Sequence, residues 1–501
     1  MSLSALPPEL IVNILLALDW RDLLRCKRIN RYFNSVTEDT LLQYKLELAI
    51  AGIEDGPPSS LGPSERLKKL RAHQEAWLTL QYSSQKAVPM LQGKVWELYG
   101  GVLSQARRAD VLSFRRLPSA LRGIDEHEWA VQVDFPIRDF GIDPSQDLLV
   151  ALEQPQPFSE TIHVHLRTLS TGTPHPAGPS TALLVHTTNS SDHYAIQISG
   201  DFLGILFIGH EQFPDDCLIW NWKTGTLLQW ITGREIGSIS FLSDRHIILG
   251  VIDRLSNNTR QTVASEPELV VIDFLQPHPE KIDIWDMAFA CTFHYPRLAP
   301  RALPLAFSIR SDPAPLWPSR DSQVPFYTAR TDRLLVLTFW VAEADQIRTI
   351  LLFTLASTIL SHVNAVQDMA RQRFSWEQWG PEGSCMMSNL FGHSSVWVCY
   401  VFGTRFVARG GPREIKVYDF NVLPYERRMA QSDVKGRGDG KRKACVFREG
   451  ETFEGEVATA LPYHMRSLSV EEDFEAVMVS EDSLITLTSL GRGRKYRIFT
   501  F

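Results

Sequence analysis

Cysteine is scarce in this sequence, and the few cysteines lie far apart. Six occur in 501 residues, with no Cys-x-x-Cys pair and no histidine pair at zinc-finger spacing. They are Cys26, Cys217, Cys291, Cys385, Cys399 and Cys445. This scatter argues against a disulfide framework and is typical of reduced thiols, so we expect a protein of the cytoplasm, the nucleus or both.

Long apolar stretches are also missing. The longest run, residues 349–360, includes Thr and Ser and is shorter than the roughly 20 residues that cross a bilayer. Pro7, Pro8 and Glu9 stand where a signal peptide would be apolar. The sequence therefore predicts no membrane span and no secretory leader.

A surplus of positive charge is absent as well. The chain has 51 basic and 58 acidic residues, a formal net charge of −7, with 44% hydrophobic and 22% charged residues. This is the composition of an ordinary folded protein, and its charge does not favour nucleic acid or an anionic membrane as a partner. The balance favours a protein partner.

Catalytic motifs are few and incomplete. The basic segment 435–443 falls one residue short of a phosphate-binding motif and is interpreted as a loop. Ser384 and Cys385 follow a glycine, but no base can be assigned to them. His163 and His165 alternate on one predicted strand, yet a metal would need a third ligand that the sequence does not identify. We therefore predict no cofactor, no metal ligand and no catalytic residue.

The first 50 residues have the periodicity of short helices. Leu10, Ile14 and Leu18 repeat at helical spacing, and Pro7 and Pro8 suit a first helical turn. Later apolar positions predict three more short helices. A bundle this small has more apolar side chains than it can bury alone. It is either a cap on the rest of the chain or a surface for another protein.

An ordered series of motifs runs through this helical segment. It comprises Leu6-Pro7-Pro8-Glu9-Leu10, Ile14, Leu18, Asp22-Leu23, residues 26–33 and Leu41-Leu42. The series resembles the F-box from end to end, and the whole chain is similar to the large, divergent F-box families of fungi. Two positions depart from the common pattern, since Asn30 stands where Cys or Ser is usual and Gln43 where Trp is usual.

The resemblance implies a partner, namely a Skp-type adaptor and, through it, a cullin. It also implies which side chains form or support the adaptor-binding surface. These are Leu6, Pro7, Leu10, Ile14, Leu18, Leu23, Leu24, Ile29 and Phe33. We expect about half of them to pack within the bundle instead.

From about residue 93 the chain changes to short β-type runs separated by turn residues. A pair of apolar strands recurs six times, at 147–152 with 162–166, 202–208 with 218–222, 246–251 with 269–274, 333–339 with 349–353, 396–402 with 415–420, and 475–480 with 496–501. Such units must stack or close to bury their faces, so we predict a β-propeller of six or seven blades. A pair of β-sandwiches is the alternative. Segment 95–103 is predicted to close the ring, and 283–311 to hold any additional blade.

The predicted architecture is multidomain, α plus all-β. It has an F-box at 1–50, a linker with a helix at 51–92 and a β-propeller-like substrate-recognition domain at 93–501. The linker helix either holds the body away from the F-box or lies flat on the body. Tryptophans in the body are interpreted as blade core or, where exposed, as client contacts.

The predicted function is that of a non-catalytic substrate receptor in a Skp–cullin–F-box ubiquitin ligase. Such a subunit binds the adaptor and a client protein, and raises their effective concentration. Two alternatives stay open. One is an F-box scaffold without a degradation client, and the other is a ligand-binding or hydrolytic propeller capped by helices.

Overall fold

The fold is described from a computed structural model of the 501-residue chain. The residues described are 6–93, 95–156, 159–187, 191–209, 213–252, 267–317, 324–330, 332–343, 346–366, 372–388, 399–431, 445–448, 452–490 and 493–501. Among the helices of these residues, none has the length and apolar character of a membrane span.

Four short helices form the N-terminal bundle. They are α1 (Pro8–Leu16), α2 (Trp20–Lys27), α3 (Arg31–Val36) and α4 (Thr40–Ala51). Capping side chains start three of them, because Asp19, Asn30 and Asp39 accept hydrogen bonds from backbone N–H groups of the first turn. The shared core of the bundle contains Ile11, Leu15, Leu23, Phe33, Leu42 and Leu46.

Three elements connect the bundle to the body. They are β1 (Ile53–Asp55), α5 (Pro63–Thr79) and β2 (Ser84–Pro89). Pro63 occupies the first helical turn of α5, where its missing N–H costs nothing. Each of the three elements contacts the body, so the linker is part of the folded unit.

Seven antiparallel sheets follow one another around a ring, which confirms the predicted propeller and excludes the sandwich alternative. The first two blades contain β3 (Trp96–Tyr99), β4 (Val102–Arg108), β5 (Val111–Arg116), β6 (His127–Gln132), β7 (Ile137–Asp143), β8 (Leu148–Glu153), β9 (Thr161–Thr168) and β10 (Leu183–Thr187). The third and fourth contain β11 (Ser191–Ser199), β12 (Phe202–Gly209), β13 (Asp215–Asn221), β14 (Thr226–Gly233), β15 (Ile236–Phe241), β16 (His246–Val251), β17 (Glu268–Asp273) and β19 (Cys291–His294).

The remaining blades lie in the second half of the chain. The fifth and sixth contain β20 (Ala302–Arg310), β22 (Leu334–Glu343), β23 (Gln346–Leu355), β25 (Ser384–Ser388), β26 (Val401–Phe402), β27 (Arg405–Gly411), β28 (Glu414–Asp419) and β31 (His464–Ser469). The seventh contains β32 (Ala476–Val479), β33 (Ser483–Leu490) and β34 (Gly493–Thr500), with β2 as its outer strand.

Smaller elements decorate the ring. They are β18 (His278–Asp283), β21 (Phe326–Thr328), β24 (Gln372–Phe374), β29 (Cys445–Phe447), β30 (Val457–Thr459), α6 (Ala356–Ala365), α7 (Trp376–Gly383) and α8 (Leu423–Gln431). Strands β18 and β24 add in parallel to the third and fourth blades, and β21 pairs with β1.

The ring is closed by β2, not by the predicted segment 95–103. Ser84 pairs with Thr500 and Pro89 with Lys495, so the N-terminal strand completes the last blade. Segment 95–103 instead holds β3 and the start of β4 in the first blade. Pairing the two ends of the chain removes an exposed sheet edge, because β34 is covered by β2.

The six recurring strand pairs correspond to the second to seventh blades. The first blade, at residues 96–132, is not among them. The prediction that 283–311 holds an additional blade is wrong. That stretch supplies β19 as the outer strand of the fourth blade and β20 as the first strand of the fifth. Segment 396–402 lies partly outside the described residues.

The blades pack face to face through strands that are apolar on both sides. In β8, for example, every residue of Leu148–Leu152 is 0% exposed. Such strands appear in the sequence as runs rich in apolar residues, and these runs made the repeat visible.

Candidate functional site

Several predicted adaptor-binding side chains face solvent on the bundle. Leu10 is 49% exposed, Ile14 40%, Leu24 37% and Ile29 63%. Leu10 and Ile14 lie one turn apart on the same face of α1. Apolar side chains at this exposure gain free energy when another surface covers them, so these four are available for a partner.

The other predicted residues have different positions. Leu23 and Phe33 belong to the bundle core, with 0% and 8% exposure. Leu6 and Leu18 are half-buried against that core, and Pro7 is exposed as the N-cap of α1. Leu23 and Phe33 can therefore support the surface by fixing the helices, but they cannot form it.

Two exposed apolar residues were not on the predicted list. Tyr32 on α3 is 36% exposed, and Leu41 at the start of α4 is 41% exposed. The tyrosine lies within the motif at 26–33 and the leucine within Leu41-Leu42. Each stands next to an apolar residue that is buried, Phe33 and Leu42. Helical periodicity alone does not say which of two adjacent apolar residues faces solvent.

Helix α4 fastens the bundle to the propeller through a buried carboxylate. The side chain of Glu47 is 4% exposed and accepts two hydrogen bonds from Arg427 of α8, at 2.6 and 3.0 Å. Arg71 of α5 donates a third at 2.9 Å. Bidentate arginine pairs of this kind fix orientation as well as contact. The face of α4 that carries Glu47 is thus committed to the chain's own body.

Helix α5 lies flat on the body, which decides between the two positions left open for the linker helix. Trp77 stacks on Phe501 with ring centroids 4.2 Å apart, and the Arg405 guanidinium lies 4.2 Å from the Trp77 ring centre. Leu70 is 0% exposed in a cluster that includes Phe326 of β21. The helix therefore holds the bundle at a fixed place on the ring.

A buried ionic network ties α5 to the seam between the first and last blades. Arg122 Nη1 lies 2.6 Å from Glu481 and 2.8 Å from Asp482, and His73 Nε2 lies 3.2 Å from Asp482. Burial alone would raise the pKa of Asp482, but the charge of Arg122 and the hydrogen bond with His73 outweigh it and lower the pKa to about 2. Glu481 also accepts the Thr328 N–H at 2.8 Å.

The first strands of the blades surround a central cavity of about 170 Å³. Three carboxylates that sequence analysis did not single out line it, namely Glu97, Asp139 and Asp312. Burial raises the pKa of Glu97 to about 7, with repulsion from Asp312 adding to the effect, and raises those of Asp139 and Asp312 to about 6. Glu97 lies in β3 and Asp139 in β7, whereas Asp312 follows β20, and no pattern in the sequence relates the three. Raised carboxyl pKa values in a cavity mark a candidate binding site.

One lining thiol lies beside a carboxylate, because Cys399 Sγ is 3.5 Å from Glu97 Oε1. Burial, and then the nearby Glu97 charge, raises the pKa of the Cys399 thiol well above its usual value, so the reactive thiolate is disfavoured. Its Sγ lies 3.2 Å from the Leu98 carbonyl oxygen. The buried Ser311 hydroxyl has no hydrogen-bond partner to activate it. The arrangement suits binding of a polar group better than covalent catalysis.

Ser384 and Cys385, which were considered as nucleophiles, contact a carbonyl oxygen and a thiol. Ser384 Oγ donates to the Gly380 carbonyl at 2.5 Å, and Cys385 Sγ lies 3.9 Å from Cys445 Sγ. Neither contact supplies a base. The basic segment 435–443 lies outside the described residues.

The tryptophans of the body are mostly enclosed. Trp317, Trp376 and Trp379 are buried, whereas Trp285 is 46% exposed. Trp340 is half-buried, and Trp397 lies outside the described residues. Trp285 is thus the tryptophan of this set that is open to a client.

Comparisons with known proteins agree with this two-part architecture. Residues 3–48 match the F-box-like family, and no curated protein matches the chain. The chain is thus a protein with an F-box-like N-terminal bundle and a seven-bladed β-propeller body. The F-box resemblance seen in the sequence is confirmed.

Solved structures resemble the chain only loosely. Hydrazine synthase of Kuenenia stuttgartiensis gives a TM-score of 0.37 at 8% identity, covering 81% of this chain and 94% of that one. The β-propeller domain of the Trilobed protease from Pyrococcus furiosus gives 0.34 at 7%, covering 83% and 94%. The WD40 domain of SCAP from fission yeast gives 0.33 at 10%, covering 80% and 82%. Likenesses this weak carry no argument about function.

Proposed function

We propose that this chain is the substrate-receptor subunit of a Skp–cullin–F-box ubiquitin ligase. The bundle binds a Skp-type adaptor, which connects it to a cullin, and the propeller binds a client protein. The subunit itself is not catalytic. The observation that carries the proposal is the outward position of Leu10, Ile14, Leu24 and Ile29 in a segment that matches the F-box-like family.

The free energy available from covering these side chains is substantial. Full burial of a Leu or Ile side chain is worth about 1.5–3 kcal/mol. Each of the four has already lost roughly half of its surface to the bundle, so about 1 kcal/mol per side chain remains for a partner. Several such contacts, with hydrogen bonds at their rim, are enough to anchor a stable interface.

The fixed attachment of the bundle supports the same function. Glu47 holds α4 to α8 and α5, and Trp77 holds α5 to the last blade. A receptor must present its client at a constant place relative to the ligase, because effective concentration falls when the connection is loose. A bundle fastened at several points meets that requirement.

The adaptor half of the proposal is tested with charged substitutions on α1. In the full chain, Leu10→Asp with Ile14→Asp should reduce co-purification with a Skp-type adaptor at least 100-fold, which corresponds to about 2.7 kcal/mol. Leu303→Asp with Ile347→Asp is the matched control, because these residues are at least as exposed as Leu10 and Ile14, at 49% and 66%, but lie on the fifth blade. Adaptor binding that survives the α1 changes contradicts the proposal.

The client half of the proposal is tested by ubiquitination, which a substrate receptor supports and a scaffold without a client does not. A reconstituted ligase containing the full chain should ubiquitinate a protein captured on the propeller, and the α1 double variant should not. If the adaptor binds but no captured protein is modified, the scaffold alternative is supported instead. Trp285 is the first residue to change on the client side, because exposed aromatic side chains are frequent anchors of interfaces.

A second candidate function is the binding of a small cationic ligand in the central cavity. The observation that favours it is the convergence of Glu97, Asp139 and Asp312 there. A bound cation would favour the charged form of these carboxyls, above all that of Glu97, whose pKa is about 7. A diamine should then raise the unfolding temperature of the wild type but not of Glu97→Gln with Asp139→Asn. Equal shifts in both proteins would remove this candidate.

A further inference from the structure

The second blade supplies the third ligand that the sequence could not identify for His163 and His165. The register that pairs Leu152 of β8 with Val164 of β9 places the next residue, Glu153, beside His163. His163 and His165 are two apart on β9, so their side chains leave the same face of the sheet. Residues from two neighbouring strands thus converge at one point.

The distances within this cluster suit a small metal ion. His163 Nδ1 lies 3.1 Å from Glu153 Oε2, and His165 Nε2 lies 3.0 Å from the same oxygen. The three ligand atoms all lie within 4.8 Å of one another. Zinc binds imidazole nitrogen and carboxylate oxygen at about 2.0–2.2 Å, so two ligands of one tetrahedral ion stand about 3.3 Å apart. The two nitrogen–oxygen distances of 3.1 and 3.0 Å are close to that value.

The two imidazoles share one carboxylate oxygen, since His163 Nδ1 and His165 Nε2 both donate to Glu153 Oε2. An ion at this point would replace the two hydrogens, so each imidazole would carry its remaining N–H on its other ring nitrogen.

The surroundings hold the cluster in place and leave it one open side. Phe135 stacks on the His165 ring with centroids 3.7 Å apart, which fixes the plane of the imidazole. The His165 and Glu153 side chains are mostly enclosed, at 14% and 23% exposure, whereas that of His163 is 43% exposed. An ion at this point would have protein on three sides and solvent on the fourth.

We propose that Glu153, His163 and His165 form a binding site for a divalent transition-metal ion, with Zn²⁺ as the preferred occupant. Two imidazoles and one carboxylate are a ligand set that selects such ions over Mg²⁺ or Ca²⁺, which take mainly oxygen ligands. Three protein ligands leave a fourth coordination position for water or for an incoming side chain. The site belongs to the propeller and is independent of adaptor binding.

The test is calorimetric titration of Zn²⁺ into the full chain after treatment with a chelator. The wild type should bind one ion per chain at this site, and His163→Ala or Glu153→Gln should weaken that binding at least 100-fold. His127→Ala is the matched control, because this exposed histidine stacks on Trp129 of the first blade and is outside the cluster. It should bind as the wild type does.

A spectroscopic arm separates loss of a ligand from loss of the fold. Co²⁺ in a site with histidine and carboxylate ligands gives visible absorption bands, which should appear in the wild type and in His127→Ala. The bands should be absent from Glu153→Gln while its circular dichroism is unchanged. No stoichiometric binding by the wild type, or equal binding by the wild type and Glu153→Gln, would overturn the proposal. So would an equal loss of binding in His127→Ala, which would place the ion elsewhere.

Discussion

Replacement of Arg122 by methionine should weaken the seam between the first and last blades, where His73 of α5 also contacts Asp482. The guanidinium is 7% exposed and lies between two carboxylates that are themselves only 11% and 10% exposed, Glu481 and Asp482. Methionine has a similar length but no charge, so Arg122→Met leaves both anions buried side by side. Asp482 then keeps the contact with His73, and Glu481 keeps the hydrogen bonds from the N–H and the hydroxyl of Thr328.

The expected cost follows from the balance of two large effects. At an effective dielectric constant of about 20, each ion pair with Arg122 is worth about 4 kcal/mol of attraction. The variant no longer needs to bury a guanidinium, which recovers several kcal/mol. Removal of one partner from a buried ionic network costs about 3–5 kcal/mol in net terms. We therefore expect the free energy of unfolding to fall by about that amount.

The pH dependence gives an independent check on the magnitude. The pKa of Asp482 is lowered in the folded chain, to about 2 from 3.8. Its contribution to stability is therefore fully present above pH 3.8 and is lost as the pH falls toward 2. Since the variant no longer has that contribution, the difference between the two proteins should shrink across this interval.

Urea unfolding, followed by circular dichroism and by proteolysis within α5, measures the effect. Arg108→Met is the matched control, because Arg108 is 65% exposed and its nearest carboxylate, Asp110, is 3.8 Å away. A surface pair of this kind is worth about 0–1 kcal/mol. The reasoning is refuted if Arg122→Met lies within 1 kcal/mol of the wild type, or if both variants lose the same amount.

Three further predictions concern the ring. Glu97→Gln should stabilise the chain by about 1–3 kcal/mol above pH 7 and have no effect near pH 4, as measured by urea unfolding at both pH values. The reason is that the pKa of Glu97 is about 7 in the folded chain, against 4.5 for an ordinary glutamate, so the folded state bears the cost of a buried charge only above pH 7. Trp77→Ala should cost about 3–5 kcal/mol by removing a ring that is 3% exposed, and a smaller loss by thermal unfolding would contradict the role assigned to α5. A chain that begins at residue 92 lacks β2 and leaves β34 as an open edge, so light scattering should show association where the full chain shows a single species.

The sequence predicted secondary structure best where neighbouring residues determine the local conformation. Pro7 and Pro8 mark the start of α1 directly, and the spacing of the apolar residues predicted the three helices that follow. The propeller was predictable from its repeated apolar strands, because a strand buried on both faces has a continuous apolar run.

The closing strand and the first blade were missed for a physical reason. Only Val88 of β2 is buried, so the strand shows no alternation, and its pairing with β34 spans nearly the whole chain. In β3 only Leu98 is buried. Strand β2 is held by main-chain hydrogen bonds to a strand far away in the sequence, and β3 by those to the adjacent β4, so neither needs an apolar pattern of its own.

The two clusters of side chains in the propeller could not be predicted from the sequence. Glu97, Asp139 and Asp312 are far apart in the chain, and they line one cavity because β3, β7 and the segment that follows β20 belong to separate blades of the ring. Glu153 joins His163 and His165 only through the register of β8 and β9. Sequence spacing predicts neighbours within one element, whereas these clusters depend on how elements are placed beside one another.

Hydrogen–deuterium exchange of the full chain, with and without a Skp-type adaptor, tests the central claim most directly. The adaptor should slow exchange in α1, α2 and α3, whose exposed side chains include Leu10, Leu24 and Tyr32, and leave the seven blades unchanged. Unaltered exchange in these helices, or protection confined to the propeller, would contradict the claim that the bundle keeps apolar surface for a second subunit.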